Sequence, residues 1–236
     1  MYRCEAVSVS AFVQQVAVNY LTKGYWFYVM GEIPPGKDWI AVDRKILQSY
    51  GVGISKWSRL RKRARGETTL HYLRFRATWI LLATSDGNDC VLKGRGDLKD
   101  ARVTPIYFQG YSLSYRPGTD GKHHASVRIA LNTYLRLKSF LVGNATRRSE
   151  AWFLDAFWKI PFEPYAPVRR QLFNILRAVN RRRRVAGMDV VPRNAVRMHR
   201  WQTRVFAETE ASFSPLSGRP LVAEPGPSGL ALEARN

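Results

Sequence analysis

The chain has 236 residues, of which 45% are hydrophobic and 12% aromatic, and this composition excludes a disordered basic tail because most of the sequence can form a core. Its formal net charge is +20, and residues 51–200 alone hold 30 basic and 10 acidic residues, which favours a polyanionic partner such as nucleic acid. No apolar run reaches ~18 residues and no leader pattern opens the chain, so we expect no membrane contact and a cytoplasmic or nucleoid-associated location.

The predicted elements begin with a strand at residues 25–30, which are β-prone and precede the turn signal Pro34-Pro35-Gly36. Asp43 and Ser55 are typical N-cap residues, and they predict two short helices separated by Gly51. The predicted helices and strands then follow in this order: helices at 43–50 and 55–65, strands at 70–84, 103–115 and 125–131, and helices at 132–142, 149–159 and 167–184.

This order of strands followed by helices predicts an α+β fold. We expect a small, mainly antiparallel sheet with an inserted helical pair, followed by a C-terminal helical layer. Residues 1–205 are expected to form one folded unit, and the Pro-, Gly- and Ser-rich residues 206–236 a flexible tail.

The segment 42–65 has the most specific local pattern. Ile46 and Leu47 supply an apolar face on the first helix, and Val52 is a candidate buried residue in the turn. On the second helix one apolar stripe, expected to anchor it to the core, consists of Trp57, Leu60 and Ala64. The other faces of that helix are basic and hold Lys56, Arg59, Arg61, Lys62, Arg63 and Arg65.

Over these 24 residues the sequence resembles helix-turn-helix DNA-binding proteins, and the β-prone run after Gly66 lies where a winged member of that class places its wing. The resemblance implies that the second helix enters the major groove of duplex DNA. Two alternatives remain open: a basic helical hairpin that touches nucleic acid without reading sequence, and a solvated charged helix.

A second basic element is the predicted helix 167–184. Its apolar residues form one core-facing stripe, namely Val168, Leu172, Ile175, Leu176 and Val179. Arginines lie on the opposite side and flank it: Arg169, Arg170, Arg177, Arg181, Arg182, Arg183 and Arg184. Because residues 164–188 contain no acid, we interpret this face as one that binds phosphates, with Arg147 and Arg148 as additional candidates.

Catalytic candidates are weaker. His123 and His124 precede Tyr134 and Lys138, a set typical of enzymes that cut strands with a tyrosine nucleophile and a metal held by paired histidines. Adjacent residues on a strand point to opposite faces, so the two histidines share a metal only if they lie in a loop.

Four acids cluster around the Gly-rich loop 93–97, at Asp86, Asp89, Asp97 and Asp100, but their spacing fits a surface turn as well as a metal site. The loop lacks the pattern of a nucleotide-binding loop. Cys4 and Cys90 form no metal-ligand spacing. We therefore expect no metal site and no cofactor, with Mg²⁺ or Mn²⁺ required only by a nuclease.

These patterns together predict a noncatalytic nucleic-acid-binding protein that prefers DNA and belongs to a plasmid, phage or other mobile element. One alternative is a strand-processing enzyme, such as a replication initiator, transposase or nuclease. The other is an RNA-binding structural component of a ribonucleoprotein. The sequence does not predict protein partners.

Overall fold

The computed structural model of the protein describes residues 2–87, 92, 97–118, 120–200 and 203–207. The predicted α+β class is confirmed, with 41% of these described residues in helices and 19% in antiparallel sheets. The acid Asp89, the loop residues 93–96, Cys90 and nearly all of the predicted tail lie outside the described residues. No helix in the part of the chain that is described is long and apolar enough to cross a bilayer.

The chain begins with a helical segment that the sequence reasoning missed. Helix α1, Val9–Gln14, is capped by Ser8, whose side chain accepts from the Ala11 N–H at 3.1 Å. It continues without a break into a π-helical turn, Gln15–Tyr20, and a 3₁₀ turn, Leu21–Lys23. Phe12, Val16 and Leu21 are fully buried, so this segment lies at the centre of the main core.

The strands form two antiparallel sheets instead of one. The first sheet has the order β2-β3-β1-β4, with β1 at Phe27–Glu32, β2 at Leu70–Phe75, β3 at Thr78–Ala83 and β4 at Lys99–Asp100. The second has the order β5-β6-β7, with β5 at Ile106–Phe108, β6 at Tyr111–Pro117 and β7 at His123–Ile129. The predicted strand 103–115 is thus divided by a tight turn at Gln109 and Gly110, both with positive φ.

Both faces of the first sheet are buried, and its residues alternate between two cores. Ile80 and Leu82 face the main core, whereas Leu81 and Ala83 face a smaller cluster beneath helix α2, Trp39–Ser49. This arrangement explains why β3 is apolar at consecutive positions although the sheet is antiparallel.

Helix α2 is capped by Asp38 and not by Asp43, since the Asp38 side chain accepts from the Ile40 N–H at 2.9 Å. Asp43 lies inside the helix and is buried, where it pairs with Arg74 of β2. The capping prediction was wrong because the sequence cannot reveal this partner 31 residues away.

The C-terminal half matches the predicted helices closely. Helices α4, α5 and α6 span Leu131–Gly143, Glu150–Trp158 and Ala166–Val185. Helix α6 begins with Pro167 in its first turn, where a missing N–H costs little, and it packs against β7 and α4. A 3₁₀ turn at Arg193–Ala195 follows and packs against α5.

Candidate nucleic-acid interface

A groove of about 660 Å³ that is lined by five arginines runs along α6, and we call it the arginine groove. Its charged lining consists of Arg170, Arg177, Arg181, Arg184 and Arg193. The rest of its lining consists of the apolar residues Phe173 and Leu176 and the polar residue Asn180. Four of the five arginines are those predicted from the helical pattern.

The groove is formed because α6 is fixed to the core on its other side. The predicted apolar stripe is buried throughout, from Val168 to Val179. The four helical arginines then share one exposed side, and Arg170 and Arg184 stand about 21 Å apart along the axis at 1.5 Å per residue. Arginine side chains therefore follow most of the length of the helix.

The opposite wall of the groove comes from the segment after α6. The Asn180 side chain donates to the Val191 carbonyl at 2.8 Å and accepts from the Val191 N–H at 2.9 Å, which holds this segment alongside the helix. Arg193 is thereby placed over the Phe173 ring, at 5.3 Å from its centroid. No sequence pattern indicated Arg193, since this residue lies outside any periodic element.

The charge of the groove has no acidic partner in the part of the chain that the structure describes. Among these residues, none of its five arginines has a carboxylate within 4.0 Å. Arg177 donates to the Phe173 carbonyl at 3.4 Å and to the Asn174 side chain. Five positive groups around one concave surface repel one another, so the groove favours a bound polyanion.

Arg183 differs from the prediction, which placed it beside the arginine face. It is 2% exposed and donates to the carbonyls of Ala145 and Arg148 at 2.9 and 2.7 Å, and to that of Asp189. Its guanidinium also lies 5.6 Å from the Phe153 ring centroid. Arg183 therefore joins α6 to the turn before α5 and stabilises the fold, and it is not a surface phosphate ligand.

Arg147, Arg148 and Arg182 are exposed, but they do not line the groove. Arg148 lies over the Trp152 ring at 5.5 Å, in the turn that Arg183 holds against the C-terminal part of α6. Arg182 projects about 120° around the helix from Arg170. Arg169 is half-buried and donates to the Pro164 carbonyl at 2.7 Å. The binding role of Arg147, Arg148 and Arg182 stays a prediction.

Both predicted helices of segment 42–65 are present. The second, α3, spans Lys56–Ala64 and is capped by Ser55. The turn is also as predicted, with Gly51 at φ +57° and Val52 fully buried. However, no residue of α3 is buried, and Trp57 and Leu60 of the expected anchoring stripe are 68% and 57% exposed. The predicted inward face of α3 was therefore wrong.

Basic side chains occupy the inward face of α3 instead. Arg59 donates to the Val52 carbonyl at 3.1 Å and lies 5.8 Å from the Tyr2 ring centroid. Arg63 donates to the Lys23 carbonyl at 2.9 Å and lies 5.7 Å from the Tyr25 ring centroid. Guanidinium groups pack over tyrosine faces while their stems cover apolar surface, which places the apolar stripe on the outside.

The remaining cations of α3 divide into two groups. Lys62 and Arg65 both pair with Glu67, so the protein itself balances part of their charge. Lys56 and Arg61 are exposed, with no carboxylate within 4.0 Å among the described residues. The exposed side of α3 therefore combines the apolar side chains Trp57 and Leu60 with basic ones, and its entry into a major groove stays a prediction.

Replacing Trp57 and Leu60 together by alanine is expected to change the free energy of unfolding by only about 0.5 kcal/mol, since both side chains are exposed. Val52→Ala, a matched truncation of a fully buried side chain beside them, is expected to cost roughly 1–3 kcal/mol. Urea denaturation followed by circular dichroism measures both. A large loss in the double variant would mean that α3 is anchored by its apolar stripe after all.

The catalytic candidates are not brought together. His123 and His124 both lie within β7, not in a loop, so their side chains point to opposite faces. His124 pairs with Asp120 at 2.8 Å, and His123 stacks on Tyr115. Tyr134 lies in α4, beyond the other end of β7, which is roughly 20 Å long, and it packs against the main core.

The acidic candidates that the structure describes, Asp86, Asp97 and Asp100, do not form a metal-binding group. Asp100 pairs with Arg102 at 2.7 Å, which keeps the pKa of that carboxyl below its usual value despite partial burial. In the described ranges no group of three or more His, Cys, Asp and Glu side chains has metal-binding geometry. Lys138 lies on α4, on the same helix as Tyr134.

A second cavity, of about 430 Å³, lies where the N-terminal residues, the start of α3 and strand β2 meet; we call it the tyrosine cavity. Tyr2, Tyr20 and His71 form its aromatic wall, and Arg3 and Arg59 also line it. These residues come from segments far apart in the sequence, so no sequence pattern predicted them.

Burial lowers the pKa of His71 to about 3, and the nearby cations Arg59, Lys23 and Arg63 add to the effect. Because the unfolded value is about 6.5, His71 is neutral in both states above that pH. Between pH 6.5 and 3 only the unfolded chain binds the proton, so the free energy of unfolding is expected to fall by up to about 1.4 kcal/mol per pH unit.

Denaturation at a series of pH values from 7 to 5 tests this, because the carboxyl groups titrate mostly below that range (~4). His71→Gln, which cannot gain the proton, is expected to have a flatter profile there than the unsubstituted protein. Identical slopes for the two proteins would contradict a neutral, buried His71.

Comparisons of this chain with protein-family models, with curated proteins and with solved structures find no significant match.

Proposed function

We propose that the protein binds nucleic acid through the sugar-phosphate backbone, with one strand lying in the arginine groove and DNA as the preferred partner. The observation that carries this proposal is the set of five arginines that line one groove without a carboxylate partner among the described residues. Guanidinium groups bind phosphate oxygens in a bidentate manner, so this lining suits a phosphodiester chain better than it suits isolated carboxylates.

The shape of the groove supports an extended ligand. Its arginines extend for about 21 Å along α6, a length that spans several phosphates of a strand that rises 3.4 Å per nucleotide. Phe173, which is half-buried among them, offers apolar surface to sugars and bases. Duplex DNA has one negative charge per ~1.7 Å of its axis, which supports DNA as the partner of a surface this basic.

Backbone binding predicts weak sequence preference, because phosphate contacts position a protein without reading bases. Helix α3 supports the same view, because its exposed side places the large apolar side chains Trp57 and Leu60 among its basic residues. We therefore propose binding by charge and shape and not groove reading by α3.

Titration of the full-length protein with fluorescent duplex DNA, single-stranded DNA and structured RNA, over a series of KCl concentrations, tests the proposal. With three to five phosphates neutralised, the logarithm of the affinity is expected to fall against the logarithm of salt with a slope of about −3 to −4.5. Parallel incubation with Mg²⁺ or Mn²⁺ is expected to leave every strand uncut. A slope near zero on all three ligands would refute the proposal, and much tighter binding of RNA than duplex would replace DNA by RNA.

A further inference from the structure

The tyrosine cavity has the size and the lining of a small-molecule site. Its volume of about 430 Å³ lies within the range of about 300–1,000 Å³ that is common for such sites. It is much larger than a single bound anion needs. Its wall combines aromatic rings, two arginines and the backbone that leads into α3.

The positive charge at this cavity has a defined position. Arg59 is held by its hydrogen bond to the Val52 carbonyl and by the Tyr2 ring, so its guanidinium is fixed at the cavity wall. Arg3 lines the same space, and no Asp or Glu is among the described lining residues. The depressed pKa of His71 reports the same positive environment, to which Arg59, Lys23 and Arg63 contribute after burial.

The rings form a rigid, flat part of the wall. Tyr20 stacks on His71 with centroids 4.4 Å apart, and Tyr2 lies on the same stack at 6.3 Å from His71. Tyr2 is also fixed at its hydroxyl, which donates to the Tyr72 carbonyl at 2.9 Å and accepts from the Tyr72 N–H at 3.0 Å. Phe206 adds a fourth ring to the lining. Aromatic surface of this kind stacks on planar bases.

Gly53, Ile54 and the N-cap Ser55 complete the lining at the start of α3. The first-turn N–H groups of a helix add positive potential and suit a phosphate, although they supplement the arginines here and do not define the site. The cavity thus offers a cationic side to a phosphate and a ring-lined side to an aromatic group.

From this combination we infer that the tyrosine cavity binds a nucleoside 5′-monophosphate, with the base against the rings and the phosphate at Arg59 and Arg3. The ligand is either a free nucleotide or the phosphorylated end of a strand, since both present the same group. This inference goes beyond backbone binding and does not rest on it, because the cavity and the arginine groove share no lining residue.

Isothermal titration of the full-length protein with AMP, GMP, CMP and UMP tests the inference, with adenosine and inorganic phosphate as partial ligands. At least one monophosphate is expected to bind about tenfold or more tighter than either partial ligand. A short oligonucleotide with a 5′-phosphate, compared with the same strand bearing a 5′-hydroxyl, shows whether a strand end also enters. Preference for the phosphorylated strand identifies the strand end as a ligand, and its absence restricts the site to free nucleotides.

Two variants change the cavity in different ways. Arg59→Gln removes the fixed cation and is expected to weaken binding about tenfold or more, whereas Arg59→Lys retains most of it. Gly53→Phe places a ring at the wall, and its Cβ meets no atom within 4 Å, so the fold is expected to accept it. It should block the nucleotide, whereas Gly53→Ala should not.

Arg61→Gln, on the exposed side of the same helix, is the control for net charge, and Arg177→Gln with Arg181→Gln is the control for the arginine groove. Both are expected to leave nucleotide binding unchanged. Equal affinity for inorganic phosphate and every monophosphate, no binding of any monophosphate, or loss of binding in the groove variant alone would each overturn the inference. The groove proposal would survive the first two results, because its own test uses long strands.

Discussion

Replacing Asp43 by asparagine is expected to lower the free energy of unfolding by roughly 3–5 kcal/mol, the largest single-residue effect on stability that we predict. The substitution removes the negative charge that faces the buried guanidinium of Arg74. Arg74 is 2% exposed, and its Nε lies 2.9 Å from Asp43 Oδ1 and 3.0 Å from Oδ2. An uncompensated charge at this depth is strongly destabilising.

The surroundings of the pair explain why water cannot compensate for the lost charge. The Tyr72 hydroxyl donates to Asp43 Oδ1 at 2.6 Å, which together with burial raises the pKa of that tyrosine. The Trp39 ring lies over the Arg74 guanidinium at 5.3 Å. Glu5 also pairs with Arg74 at 3.0 Å, but Glu5 is largely exposed and screened by solvent.

Urea denaturation of Asp43→Asn and of the control Asp155→Asn measures the effect. Asp155 pairs with Lys159 on the surface of α5 at 2.8 Å, and its loss is expected to cost about 0.5 kcal/mol or less. Adding Arg74→Met to Asp43→Leu should recover part of the stability, since two apolar groups leave no buried charge. Equal effects of Asp43→Asn and Asp155→Asn would show that the buried pair is not critical to the fold.

Neutralising three groove arginines together, as Arg177→Gln, Arg181→Gln and Arg184→Gln, is expected to reduce nucleic-acid affinity by about a hundredfold or more at low salt. Each arginine that contacts a phosphate accounts for about one unit of the salt slope, so the slope should fall by about 3 in magnitude. These side chains are exposed and have no acidic partner among the described residues, so the fold should tolerate their loss.

The matched control removes the same charge elsewhere, as Arg44→Gln, Arg116→Gln and Arg136→Gln. These arginines are exposed and lie outside the groove. Anisotropy titrations in the same salt series should give a much smaller loss for this control. Equal losses in the two triple variants would indicate that binding follows net charge and that the groove has no special role.

Local patterns in the sequence were sufficient for the C-terminal helices and for most of the groove. The apolar stripe from Val168 to Val179 is long and regular, and a helix with one such stripe has only one way to face a core. The arginines opposite the stripe were therefore placed with it. The turn at Gly51 followed in the same way, because few residues adopt a positive φ as readily as glycine.

The sequence by itself thus determined the α+β class, the C-terminal helices and a basic face on α6, because these depend on periodicity within one segment. Tertiary contacts decided the rest. Helix α3 has an apolar side and a basic side. Its arginines Arg59 and Arg63 face the protein because they lie over the rings of Tyr2 and Tyr25, which belong to distant segments. In the sequence Asp43 resembles a helix cap, but in the fold it pairs with Arg74 of strand β2. Arg183 resembles a surface arginine, but in the fold it donates to three backbone carbonyls. The physical reason is the same in each case: the favoured position of a polar or amphipathic side chain depends on partners that only the folded chain brings within reach.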